Sequence, residues 1–335
     1  MKNSKILILS ILIFVVNSCS LMEEDGTSKA PTWIVTAWQD VDRYHQYKES
    51  WDEGDLFVSG YNFRGIASNN SNEIIIVGQN GNIWQSNDLG LTWDNRTSGN
   101  GNAGNGTDSR LWEVEYINGN YVAVGNDGGI ITSTDGITWS TQTSGTTGIL
   151  RGIAYGNSTY VTVGNGGQVR TSSDSISWTS RTSGTGKYLY GVSYLNEKFI
   201  AVGKDGTIIT SSDGITWSTK TSGISNHLKE VSYGNGVYVA VGSGGAIISS
   251  TDTDTWTSRE GAGSDSLWAI DFGNGTFLTG GSNTYRSYDG ITWDNISSNG
   301  AQAIKYIDYE VPKWKYTYHI DGEESKITCE FCQGF

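Results

Sequence analysis

Six copies of one short pattern constrain this chain more than any other feature. They read SNDLGLTW at Ser86–Trp93, STDGITW at Ser133–Trp139, SSDSISW at Ser172–Trp178, SSDGITW at Ser211–Trp217, STDTDTW at Ser250–Trp256 and SYDGITW at Ser287–Trp293. The closing tryptophans Trp93, Trp139, Trp178, Trp217, Trp256 and Trp293 fall 46, 39, 39, 39 and 37 residues apart. A period of about 40 residues, rich in strand formers, predicts an all-β ring of small sheets, a β-propeller. Forty-five glycines against two prolines suit many short strands joined by tight turns. One closed ring replaces the two domains that a length of 335 residues would suggest.

One repeat, residues 149–184, shows the expected unit. Leu150–Tyr155 reads as a first strand, Gly156-Asn157 as a turn and Tyr160–Val163 as a second strand. Gly164–Gly167 turns again, Gln168–Thr171 is a third strand, and the Ser172–Trp178 box leads into a fourth. First strands recur at Phe63–Ser68, Leu111–Tyr116, Leu189–Tyr194, Leu228–Tyr233 and Leu267–Phe272, with a degenerate copy at Ala303–Asp308. Trp314–Ile320 and Lys326–Phe331 could extend that last copy, with a fourth strand from near Trp51. Closure from both termini removes exposed sheet edges. The expectation is therefore seven four-stranded antiparallel blades over residues 33–335, with six blades and a tail as the alternative.

Within each box the aspartate can accept backbone N–H groups of its own turn, and the tryptophan can fill space between blades. This pattern resembles the Asp-box, or BNR, repeat family over residues 61–300. The resemblance implies that Asp88, Asp135, Asp174, Asp213, Asp252 and Asp289, with their tryptophans, are structural. Sialidases carry the same boxes on six-bladed propellers. Their Arg-Ile-Pro motif is missing here, because neither Pro31 nor Pro312 follows Arg-Ile. The repeats are also similar in style to the propellers of photosystem II assembly factors, which implies a protein-docking scaffold.

Residues 1–18 read as a secretion signal: Lys2 and Lys5 precede the apolar run Ile6–Val16. The run is short for a membrane span. Val16-Asn17-Ser18-Cys19 resembles the lipobox of bacterial lipoproteins, which implies lipidation at Cys19. A tether over residues 19–32 and a monomer on the outer membrane or cell surface then follow as expectations. Much of the net charge of −13 sits at residues 20–60, with 9 acids against 3 bases. Residues 61–300 carry 13 Lys and Arg against 20 Asp and Glu, and six of those acids are the box aspartates. Nothing here is a nucleic-acid footprint. Cys329 and Cys332 are read as a local disulfide outside the cytoplasm, with free thiols, intermolecular pairing or a metal or redox role left open.

Aligning the first strands exposes one variable column just after the leading apolar residue: Arg64, Trp112, Arg151, Tyr190, Lys229 and Trp268. Two residues earlier lie Asn62, Arg110, Ile149, Tyr188, His227 and Ser266; two residues later the column is Ile or Val throughout. Strict period-2 alternation would put all three columns on one side. Arg64, Arg110, Trp112, Arg151, Tyr188, Tyr190, His227, Lys229 and Trp268 are thus the candidate ligand residues at a channel mouth. Their chemistry suits an anionic or sugar-like ligand, or an envelope protein or glycan partner. Glu113, Glu115, Asp127 and Asp205 are the acids open to a glycosidase reading, though the sequence does not fix their spacing. No serine triad, phosphate loop, metal cluster or cofactor motif stands out. The function expected is non-catalytic binding, with glycoside hydrolysis as the alternative.

Overall fold

The computed structural model describes residues 63–69, 72–88, 92–96, 110–297 and 301–307, with short strands at Thr32–Ala37, Trp314–Tyr316 and Ile327–Cys329. The chain divides into two compact units, residues 33–307 and residues 1–32 with 308–335. The leader, Cys19, Trp51 and Cys332 lie outside the described residues, as does the side chain of Cys329.

The larger unit holds six four-stranded antiparallel sheets, each ordered as the chain runs. Their inner strands are Phe63–Ser68, Leu111–Ile117, Leu150–Gly156, Leu189–Leu195, Leu228–Gly234 and Ala269–Gly273, which define blades 1 to 6. Blade 3 continues through Thr159–Gly164, Val169–Ser172 and Thr179–Arg181. The core lies between blades. Ala67, Ile75 and Val77 of blade 1 meet Leu111, Val114, Tyr121 and Trp139 of blade 2, and the same layer recurs down to blade 6. Second strands such as Tyr160–Val163 are apolar at nearly every position because both faces are covered.

Seven four-stranded blades were expected; six are present among the described residues. The strand expected to open the seventh does form, at Ala301–Ile307, and it packs against the inner strands of blades 6 and 1. Its partner is Thr32–Ala37, in a two-stranded sheet. The segments expected to extend it pair with each other instead, Trp314–Tyr316 against Ile327–Cys329. The N-terminal strand thus lies beside the inner strand and not at the outer edge. Its sequence, TWIVTA, is patterned like the second strand TYVTVG, which is the place it takes.

Each box turn is built as its residue types demand. Asp135 Oδ1 accepts the N–H groups of Ile137 (2.9 Å) and Thr138 (2.8 Å) and the Ser133 hydroxyl (3.0 Å). Trp139 Nε1 donates to the Gly136 carbonyl at 3.0 Å, and the indole packs on Tyr121. The boxes at Asp174, Asp213 and Asp252 repeat this geometry. The backbone donors hold these carboxyls below the usual aspartate range.

Near its start the inner strand of each of blades 1 to 5 carries a bulge. Leu150 pairs with Gly164 and Gly152 with Val163, so Arg151 is an extra residue. The same skip leaves Arg64, Trp112, Tyr190 and Lys229 unopposed. Strict period-2 alternation is therefore interrupted at this point. The bulge turns the variable residue into the channel, while Ile153 or Val192 two places on packs into the core between blades and still borders the channel cavity. Gly164 makes room for the bulge, since a Cβ there would collide with the Ile149 carbonyl oxygen. That oxygen also accepts the Asn165 N–H at 3.0 Å. A Gly164→Ala substitution should cost about 1–3 kcal/mol in urea unfolding, as over-packing against backbone does; a loss under 0.5 kcal/mol would show that the bulge tolerates a side chain.

Candidate functional site

The five bulge residues and Trp268, which directly precedes the inner strand of blade 6, converge on one end of a channel, where they form a closed alternation of cations and aromatic rings. Arg64 lies over Trp112 (5.5 Å from guanidinium carbon to ring centroid), and Arg151 lies over the same indole at 4.1 Å. Arg151 also faces Tyr190 at 5.4 Å, and Lys229 Nζ stands 3.9 Å from that ring. Lys229 reaches Trp268 at 5.0 Å, and Trp268 returns to Arg64 at 5.6 Å. Every blade contributes one member, and each cation sits between two rings. All the distances are within cation–π range.

Hydrogen bonds from the turns between second and third strands fix the collar. Trp112 Nε1 donates to Asn126 Oδ1 at 2.7 Å, and Arg151 Nε donates to Asn165 Oδ1 at 2.8 Å. The other candidate residues ring the collar. Arg110 stacks on Trp112 at 5.0 Å. His227 packs 6.0 Å from Tyr190, and its Nδ1 accepts the Asp205 N–H at 3.1 Å. Tyr188 lies outside the ring, exposed and faced by Lys204. Asp205 is paired with Lys187, which holds its carboxyl below the usual range.

Burial and mutual repulsion shape the collar's electrostatics. Burial, then Arg110 and Arg151, lower the pKa of Arg64. Burial, then Arg151 and Arg64, lower Lys229 to about 8. Neither Arg151 nor Lys229 has a carboxylate partner among the described residues. A cation cluster of this kind gains from an incoming anion.

Below the collar, the 480 Å³ cavity becomes acidic. Glu113 and Glu230 stand one residue past the bulge and Glu115 and Asp271 two further on, where other copies have Gly65, Gly152, Gly191, Ala67, Ala154 or Ser193. Lys305, from Ala301–Ile307, reaches across to Glu115 and donates to both carboxylate oxygens at 3.0 Å. Although burial opposes its charge, Glu115 and Asp271 hold Lys305 above the ordinary lysine value. Glu230 accepts the Ile270 N–H at 2.8 Å, but burial pushes its carboxyl up to about 8. Burial, then Glu230 and Glu115, push Glu113 up as well.

Sequence reasoning picked out the whole collar. It named Glu113 and Glu115 but missed Glu230, Asp271 and Lys305 as channel residues. The signal was available, since each replaces a small side chain in an otherwise monotonous column. Asp127 and Asp205 lie in the turns between second and third strands and do not line this cavity. No group of three or more metal-ligand side chains occurs among the described residues.

These features define a β-propeller of four-stranded antiparallel blades with a polar central cavity. No family model matches the chain, and no curated protein is similar to it in sequence. Solved structures do share its fold. "YCF48 from Cyanidioschyzon merolae" aligns with a TM-score of 0.55 at 19% identity, over 70% of this chain and 85% of that one. "YCF48 bound to D1 peptide" gives 0.54 at 18%, over 75% and 78%. An ancestral GH74 enzyme gives 0.55 at 15%, over 74% of this chain but only 38% of the enzyme. At these identities the likeness is one of fold.

Folding lifts the Glu230 carboxyl from 4.5 to about 8, so between those values the native state holds a proton that the unfolded chain has released. Its contribution to stability is therefore lost as pH rises through that window. Glu230→Gln should gain stability over the parent chain at pH 8 compared with pH 5, by on the order of 1–3 kcal/mol in urea unfolding. An equal effect at both pH values would place the proton elsewhere.

Proposed function

We propose that this chain is a non-catalytic binding or scaffold protein of the bacterial cell envelope, anchored through a lipid on Cys19. Its collar recognises an anionic group on a protein partner or an acidic glycan. The supporting observation is the closed alternation of Arg64, Trp112, Arg151, Tyr190, Lys229 and Trp268. A neutral sugar stacks on free aromatic faces, but these rings are already shared between cations. The desolvated cations favour a carboxylate, phosphate or sulfate. The propeller of similar fold that was solved with a bound peptide supports a protein partner. Glycoside hydrolysis by a carboxylate pair is disfavoured because Lys305 engages both oxygens of Glu115.

A glutamate-rich decapeptide carrying a fluorophore is a direct probe. Changing Arg64, Arg151 and Lys229 together to Ala should weaken its binding at least tenfold in anisotropy titrations, about 1.4 kcal/mol. The thermal midpoint should hold or rise, because mutual repulsion is removed. Undiminished affinity would move the binding face elsewhere. Hydrolysis of sialosides or aryl glycosides, lost on changing Glu113 or Arg64, would overturn the non-catalytic assignment.

A further inference from the structure

Lys229 differs from its collar neighbours in one chemical respect. A guanidinium does not lose its proton in a protein, so only the amine can relieve the crowding of three cations. The ring faces that would hold the ammonium are shared: Tyr190 also receives Arg151, and Trp268 also receives Arg64. Lys229 has no carboxylate partner among the described residues, and it lines the 480 Å³ cavity. The lowering of its pKa to about 8 agrees with this arrangement. A desolvated amine beside fixed cations is the usual setting for a nucleophilic lysine.

The geometry points to Lys229 as an imine-forming site for small carbonyl compounds that carry a carboxylate, such as 2-oxo acids. The inference rests on the collar being an anion site, because Arg64 and Arg151 would hold the carboxylate. The carbonyl carbon is then presented to Lys229 Nζ. The nitrogen lone pair attacks that carbon to give a carbinolamine. The C–O bond then breaks, and the oxygen leaves as water with the two protons the neutral amine carried, leaving C=N. No oxidant or second reactant is needed, and hydrolysis reverses the step. The cavity has room for a ligand of a few carbons.

Reductive trapping tests this on the intact protein. Incubation with glyoxylate and cyanoborohydride, followed by peptide mass mapping, should mark Lys229 at least tenfold faster at pH 7 than exposed Lys198. The Lys229 rate should rise with pH to a plateau, with its midpoint at about 8. Acetaldehyde, which lacks the carboxylate, should label Lys229 at least tenfold more slowly than glyoxylate. Labelling of Lys229 no faster than Lys198, or a midpoint near that of a free lysine, overturns the inference. Equal rates with acetaldehyde overturn it too, since the guanidiniums then do nothing for the carbonyl ligand. In each of these cases binding of the acidic peptide still reports separately on the collar. If peptide affinity survives the triple alanine change, the anion site fails and this inference fails with it.

Discussion

Everything at the channel mouth depends on a single backbone irregularity repeated in five blades. One residue into each of their inner strands the ladder skips a partner. In an unbroken strand the side chain at that place would alternate onto a blade face and be buried between sheets. The skip turns it into the channel and leaves the following apolar residue in register with the core. The site and the core are thus neighbours in sequence yet do not compete for the same space. The bulge is possible because the opposing residue, Gly125, Gly164, Gly203 or Gly242, carries no side chain against the carbonyl before the strand. Both the glycine and the bulge recur, so the frame is fixed while the residue it presents can vary from blade to blade.

Two electrostatic zones lie at successive levels of the channel. The collar level holds cations and rings; the level below it holds four carboxyls from the inner strands and Lys305 from Ala301–Ile307. Like charges within a zone disfavour each other, and both zones respond by holding some groups away from their usual charge. Lys229 gives up its proton more readily, and Glu230 keeps its proton longer. In the lower zone Lys305 supplies compensation from within the chain by bridging to Glu115. In the upper zone no such counter-ion meets Arg151 or Lys229 among the described residues. This asymmetry makes the collar the place where an outside anion gains most.

Much of this was legible in the sequence, for reasons that are themselves structural. Box turns are local, so Ser, Asp and Trp at fixed offsets determine hydrogen bonds within a few residues. Repetition aligned the inner strands and exposed the variable column that became the collar. Two things were not legible. A bulge leaves no mark in an alternating pattern, so nothing in the sequence showed that the collar residues stand outside the strand ladder. Ring closure depends on which distant segments pair, and the likeness of TWIVTA to a second strand carried too little weight against the nearness in sequence of Trp314–Tyr316 to Ala301–Ile307. The channel acids were overlooked for another reason. Reading for a catalytic pair directs attention to spacing, whereas the informative fact was that Glu230 and Asp271 replace glycine, alanine or serine.

A cluster of half-buried cations costs stability wherever it occurs, and it persists only if the surroundings hold it together. Here the surroundings are the inter-blade cores, where Leu111, Leu150, Leu189 and Leu228 are fully buried directly before four of the five bulges. Each leucine fixes the strand a single residue away from the collar, so Arg151 or Lys229 can shift its side chain but not its backbone. The rings restrict even that freedom, because moving one cation away from its neighbour brings it off an aromatic face. The repulsion therefore stays within the collar. In the proposed role, an anion at the collar would remove that repulsion without any rearrangement of the blades, so its affinity would come from relief of a fixed charge cluster.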